Sequence, residues 1–149
     1  MIRQIIVVMA ALVCVLGGCK PKGGSLSEAK RTRLQILAVA TEFEPENTYF
    51  EVLNIMANLA EEANGKTDRE ATEWMLAFEY QNREALKKLT ADLDDWYKSL
   101  DEEERVLFMM RAANNKDALR LSRYDASLRG REGIQSIYPT LVRVVALHR

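Results

Sequence analysis

Four times in this chain a Ser or Thr stands three residues before a glutamate, ahead of a stretch with helical apolar spacing. The pairs are Ser25 with Glu28, Thr48 with Glu51, Thr67 with Glu70, and Ser99 with Glu102. In such a pair the hydroxyl accepts from a backbone N–H of the first turn, and the carboxylate reaches back to the N–H of the capping residue. One pair arises easily by chance; four at plausible boundaries commit a chain to helices. Three prolines and seven glycines in 149 residues are too few for a turn-rich β fold. The expectation is an all-α chain, an antiparallel bundle of five or six helices.

The boundaries follow from the same punctuation. A first helix is predicted from Leu26 to Phe43, ending before Pro45, because the residue before a proline disfavours helical geometry. A second runs from Tyr49 to Ala63 and ends at Asn64-Gly65. Its polar strip, Glu51, Asn54, Asn58 and Glu61 or Glu62, is narrow, so it sits centrally in the bundle. The third, Asp68 to Lys98, is the longest and carries Met75, Asn82, Leu89 and Trp96 at seven-residue spacing, a seam for antiparallel neighbours. A kink or break is expected near Thr90, and Glu79–Arg83 and Glu84–Lys88 are spaced for ion pairs. Asn82 interrupts the apolar column, where it either specifies register or reaches solvent.

A fourth helix follows Ser99 to Ala113, and Asn114-Asn115 separates it from a fifth over Asp117 to Arg129. Gly130 and Gly133 precede a last helix from Ile134 to His148, with Pro139 near its start; its β-branched residues also allow a strand. Trp74, Phe78, Trp96, Tyr97 and Phe108 are spaced as core positions. Met109-Met110 offers either core filler or an adaptable apolar groove.

Ahead of these helices lie Arg3, an apolar run from Ile5 to Leu16, and Leu16-Gly17-Gly18-Cys19. A basic start, a short apolar core and small residues before a break read as a secretory signal peptide over residues 1–18. The run falls short of the about 20 apolar residues that span a bilayer. The four residues at its end resemble the lipobox of bacterial lipoprotein precursors, with Gly17 where that family favours Ala or Ser. The resemblance implies cleavage between Gly18 and Cys19 and diacylation of the Cys19 thiol, hence attachment to a membrane in the cell envelope. In a Gram-negative cell, Lys20 after the cysteine implies the periplasmic face of the outer membrane. Residues 19–25 then form the acylated cysteine and a short tether, Lys20-Pro21-Lys22-Gly23-Gly24-Ser25, of about 20 Å at full extension. Residues 26–149 form one helical domain, without a disulfide because Cys14 leaves with the signal and Cys19 carries lipid.

Side chains for chemistry are sparse. His148 is the only histidine and stands next to the C-terminus, where fraying is the default, and no free cysteine is left, so a Ser-His-Asp triad, Cys–His pair or histidine-based metal site is not expected. The chain has neither a G-x-x-x-x-G-K-[ST] loop nor a G-x-G-x-x-G turn to cradle phosphate. No cofactor or metal is implied. Carboxylates alone can hydrolyse glycosidic bonds, which leaves a cell-wall or lipid-acting enzyme, or a ligand carrier with an apolar crevice, as the alternative function. No catalytic residue stands out.

Charge is segregated along the chain. Glu42 to Glu104 holds 18 acidic and 6 basic residues, a balance of −12, whereas Arg105 to Arg149 holds 9 basic and 3 acidic, a balance of +6. On the fifth helix Lys116, Arg120, Arg123 and Ser127 share one face, with Arg131 near its continuation. Either this basic segment folds against the acidic middle of its own chain, or it forms a patch for an anionic partner. Lys116, Arg120, Arg123 and Arg131 are therefore the candidate partner-binding residues. The export address excludes nucleic acid. The expected function is a non-catalytic, protein-binding lipoprotein of assembly, pilot, exclusion or chaperone-like type, with a protein partner in the envelope.

Overall fold

The computed structural model describes residues 28–147, with side chains from 33 onward. The expected signal segment, Cys19, the expected tether and Ser25 cap, and His148 lie outside the described residues. Within them the chain is an all-α helical bundle: α1 (Glu28–Val39), α2 (Pro45–Asn64), α3 (Asp68–Ser99), α4 (Glu102–Ala113), α5 (Lys116–Arg129) and α6 (Ile134–Val142), then a single 3₁₀ turn, Arg143–Val145. The last segment is helix, not strand, and Pro139 lies inside α6 rather than near its start.

Of the capping pairs, Thr67–Glu70 forms in full: Glu70 N–H donates to the Thr67 hydroxyl, and Thr67 N–H donates to the Glu70 carboxylate at 3.0 Å. Two others are displaced. Pro45 opens α2 at its first position, where a missing N–H costs nothing, so Thr48 falls inside the first turn. Glu51 is then released to pair with Arg33 of α1 at 2.6 Å. At the next boundary Ser99 donates back to Trp96 C=O (2.6 Å) and ends α3. Asp101 takes the cap of α4 instead, in a reciprocal pair with Glu104. A carboxylate is favoured there because it also meets the positive end of the helix dipole. The first helix stops at Val39, short of Phe43, because the chain needs Ala40–Glu44 to turn back into α2.

α3 is one unbroken helix of 32 residues, about 48 Å long. Thr90 does not break it; its hydroxyl bonds to Leu86 C=O at 2.7 Å. Glu79–Arg83 pairs at 2.8 Å, but Lys88 turns to Asp92 (2.6 Å) rather than Glu84. The seam is dry. Met75, Phe78, Leu89 and Leu93 are fully buried, and Asn82 with them. Asn82 Nδ2 donates to Phe78 C=O at 2.9 Å while Oδ1 has no hydrogen-bond partner, so this residue is inside the bundle and not in solvent.

The most extensive helix contact is α2 against α5, followed by α1 against α3. α2 is buried almost all round, through Val52, Leu53, Ile55, Met56, Leu59, Ala60 and Ala63. A turn through Arg131 and Gly133 closes the bundle. Arg131 donates to Asp68 Oδ1 (2.6 Å), Ala63 C=O (3.0 Å) and Lys66 C=O (2.5 Å), tying this turn to the end of α2 and the start of α3. Gly133 has φ 77°, and a Cβ there would lie 2.7 Å from Thr72 Oγ1, itself held by Asp68 C=O. Gly133→Ala is therefore expected to destabilise the fold by about 1–2 kcal/mol from the left-handed backbone alone. Urea denaturation measures it; an unchanged midpoint would mean that this turn relaxes without consequence.

Candidate functional site

α4 is attached to the bundle by a narrow face. Its only buried residues are Phe108 and Ala112. Phe108 enters a cage of four rings: Tyr49 and Phe50 from α2, and Trp96 and Tyr97 from the end of α3. Tyr49 and Trp96 meet it edge-on at centroid distances of 5.0 and 4.9 Å. Phe50 and Tyr97 complete the cage at 6.2 and 6.1 Å. Two guanidinium groups add to the attachment. Arg111 forms a two-point pair with Glu46 at 2.7 and 3.0 Å. Arg105 donates to the C=O groups of Tyr97 (3.3 Å) and Lys98 (2.8 Å).

The opposite face of α4 is apolar as well. Val106, Leu107 and Met110 are 54%, 47% and 58% exposed, and on the outer face of α5 Leu119 is 57% exposed. Met110 is thus not core filler, while Met109 is half-buried against the core. Scattered apolar residues need no explanation, but an i, i+1, i+4 group on one helix is a contiguous surface.

The four candidate cations divide by helical phase. Asp117 and Leu128 point α5 into the bundle. Lys116 and Arg123 consequently face outward beside Leu119, and neither has an ion pair among the described residues. Arg120 turns the other way. It binds Asp117 Oδ1 at 2.8 Å, Asn58 Oδ1 at 2.9 Å and the Glu61 carboxylate, while Asn54 Nδ2 donates to Asp117 Oδ2 at 3.0 Å. The hydrogen bonds to Glu61 and then Asp117 raise the Arg120 guanidinium above its ordinary value. Arg131 is likewise held within the fold, as described above. Two of the four cations therefore fold against the acidic middle of the chain, and two remain at the surface.

The strip Asn54–Asn58–Glu61 of α2 was legible as polar, but not as the surface on which α5 docks. Asp117, 5% exposed and charged, was missed among candidate residues. Its signal was present: an acidic residue three positions before an arginine, at the start of a basic helix.

A second feature is a cavity of about 590 Å³ between α2, α3, α5 and the 3₁₀ turn, walled by Tyr49, Leu53, Leu121, Val142 and Leu147. Asp94, Asp125, Arg129 and Arg143 also line it. Asp125 accepts from Arg129 at 2.7 Å. Among the described residues, no group of three or more His, Cys, Asp or Glu side chains converges to hold a metal ion. No helix among them is long and apolar enough to cross a membrane. No protein-family model matches the chain, and no curated protein or solved structure does either.

Proposed function

We propose that this chain is a lipid-anchored protein of the bacterial cell envelope whose helical domain binds another protein and performs no catalysis. The observation that carries the binding role is the apolar outer face of α4 and α5, Val106, Leu107, Met110 and Leu119, flanked by Lys116 and Arg123, which have no ion pair among the described residues. A face of this kind offers an apolar centre for affinity and a charged rim for partner choice and association rate. The surface differs from the one expected from sequence: Arg120 and Arg131 support the fold, and apolar residues of α4 take their place.

Anchoring rests on the lipobox-like Leu16-Gly17-Gly18-Cys19. Two acyl chains make attachment stable, since each buried methylene contributes about 0.8 kcal/mol. Intact-mass measurement of the protein from membranes is expected to show loss of residues 1–18 and a diacylated Cys19. Cys19→Ala should accumulate full-length precursor. An unmodified thiol in the mature protein would exclude the anchor.

The binding role is tested by capture from detergent-solubilised membranes with the full chain. Met110→Asp is expected to abolish capture with unchanged helicity. A second reading, a carrier or hydrolase for cell-wall or lipid molecules, is favoured by the cavity bearing Asp94 and Asp125. Turnover of cell-wall or lipid substrate that disappears in Asp125→Asn would establish it and overturn the binding role.

A further inference from the structure

We infer that the partner seated on the outer face of α4 is a second copy of this chain, packed antiparallel about a two-fold axis near Met110. The inference rests on the proposed binding role and names the partner of that same surface. Its basis is the order of charge along the surface. The first turn of α4 presents Glu102 and Glu103, exposed and without ion pairs among the described residues. The apolar group Val106, Leu107 and Met110 follows, and across the Asn114-Asn115 turn come Lys116 and Arg123 on either side of Leu119. Acid stands at the start of α4 and Lys116 just past its end, with Val106, Leu107 and Met110 between them. A two-fold operation on such a strip places acid on base at both ends and apolar on apolar at the centre. Any other protein would have to carry the same order in reverse; a second copy already does. An anionic lipid surface would attract Lys116 and Arg123 but repel Glu102 and Glu103, so the pattern disfavours headgroups as the occupant.

Size sets the expected strength. α4 has 12 residues, about 18 Å, and a strip of that length falls well below the roughly 800 Å² per partner of a standard interface. The pair is consequently weak in dilute solution. Confinement of two tethered copies to one membrane raises their effective concentration and makes the contact persist.

The test is cysteine cross-linking of the full chain in its own membrane, with the parent chain, which carries Cys14 and Cys19, run alongside. Met110→Cys is expected to give a disulfide-linked species of twice the chain mass on mild oxidation, whereas Leu119→Cys, which the two-fold carries away from its own copy in the partner, is not. Nor is Tyr80→Cys, which is more exposed and lies on α3. Adding Glu103→Lys to Met110→Cys should reduce the dimer about ten-fold, and adding Lys116→Glu to that pair should restore it. No dimer from Met110→Cys, equal dimer from Leu119→Cys or Tyr80→Cys, or indifference to Glu103→Lys overturns the inference. A cross-link from Met110→Cys to a protein of another mass also overturns self-pairing, yet leaves the binding role standing. No cross-link of any kind, with no capture from solubilised membranes, defeats both.

Discussion

Phe108→Ala is expected to lower stability by about 3–5 kcal/mol, the range for truncating a fully buried phenylalanine. In thermal unfolding followed by circular dichroism this corresponds to a fall of at least ~10 °C for a domain of this size. The reason is specific to the cage. Phe108 is 1% exposed, and the rings around it come from two other helices, so its loss removes the packing partner of Tyr49, Phe50, Trp96 and Tyr97 together. Phe108→Leu keeps apolar volume but loses the edge-on ring contacts, each worth about 0.5–1.5 kcal/mol, and should fall between. Helicity at low temperature should be retained in both variants, because α2 and α3 keep their own seam. A melting temperature within about 2 °C of the parent would show that α4 is not coupled to the rest of the bundle. Hydrogen exchange would then locate its opening as a local event.

The second large effect separates two arginines three residues apart. Arg120→Glu sets a new carboxylate against Glu61 and against the nearly buried Asp117, whose own carboxylate would retain only the Asn54 amide. Removing the partner of a buried charge costs about 3–5 kcal/mol. Arg120 itself keeps 30% side-chain exposure, so water offsets part of this and about 2–3 kcal/mol is expected. Arg123→Glu touches no ion pair among the described residues and should stay within about 0.5 kcal/mol of the parent. Urea denaturation of the two variants in parallel reads the difference. Equal stabilities would mean that the Asn54–Asp117–Arg120 network is absent in solution. Capture of the partner should respond in the opposite sense, weakened by Arg123→Glu in a folded domain.

The sequence by itself determined which stretches are helical and, within a few residues, where they end. Those signals are local: a hydroxyl and a carboxylate three positions apart, a proline, an Asn-Asn pair, an apolar column on α3. Thr67–Glu70 formed as read because both groups lie in one turn and need nothing else. The errors were local competitions, with Pro45 outranking Thr48 and Asp101 outranking Ser99. Which side of each helix meets which neighbour was decided only by the tertiary structure. Lys116, Arg120 and Arg123 form one stripe in sequence, yet packing of Asp117 and Leu128 rotates α5 so that Arg120 reaches α2 while the other two face out. Its partners Asn58 and Glu61 are 62 and 59 residues away. Likewise α4 has two apolar faces, and the choice of Phe108 over Val106 and Met110 as the inward one depends on a cage assembled from α2 and α3. Periodicity reports that a face is apolar or charged. Only helices brought together from distant parts of the chain determine whether that face is covered, because burial depends on the shape and charge of the neighbour as much as on the face itself.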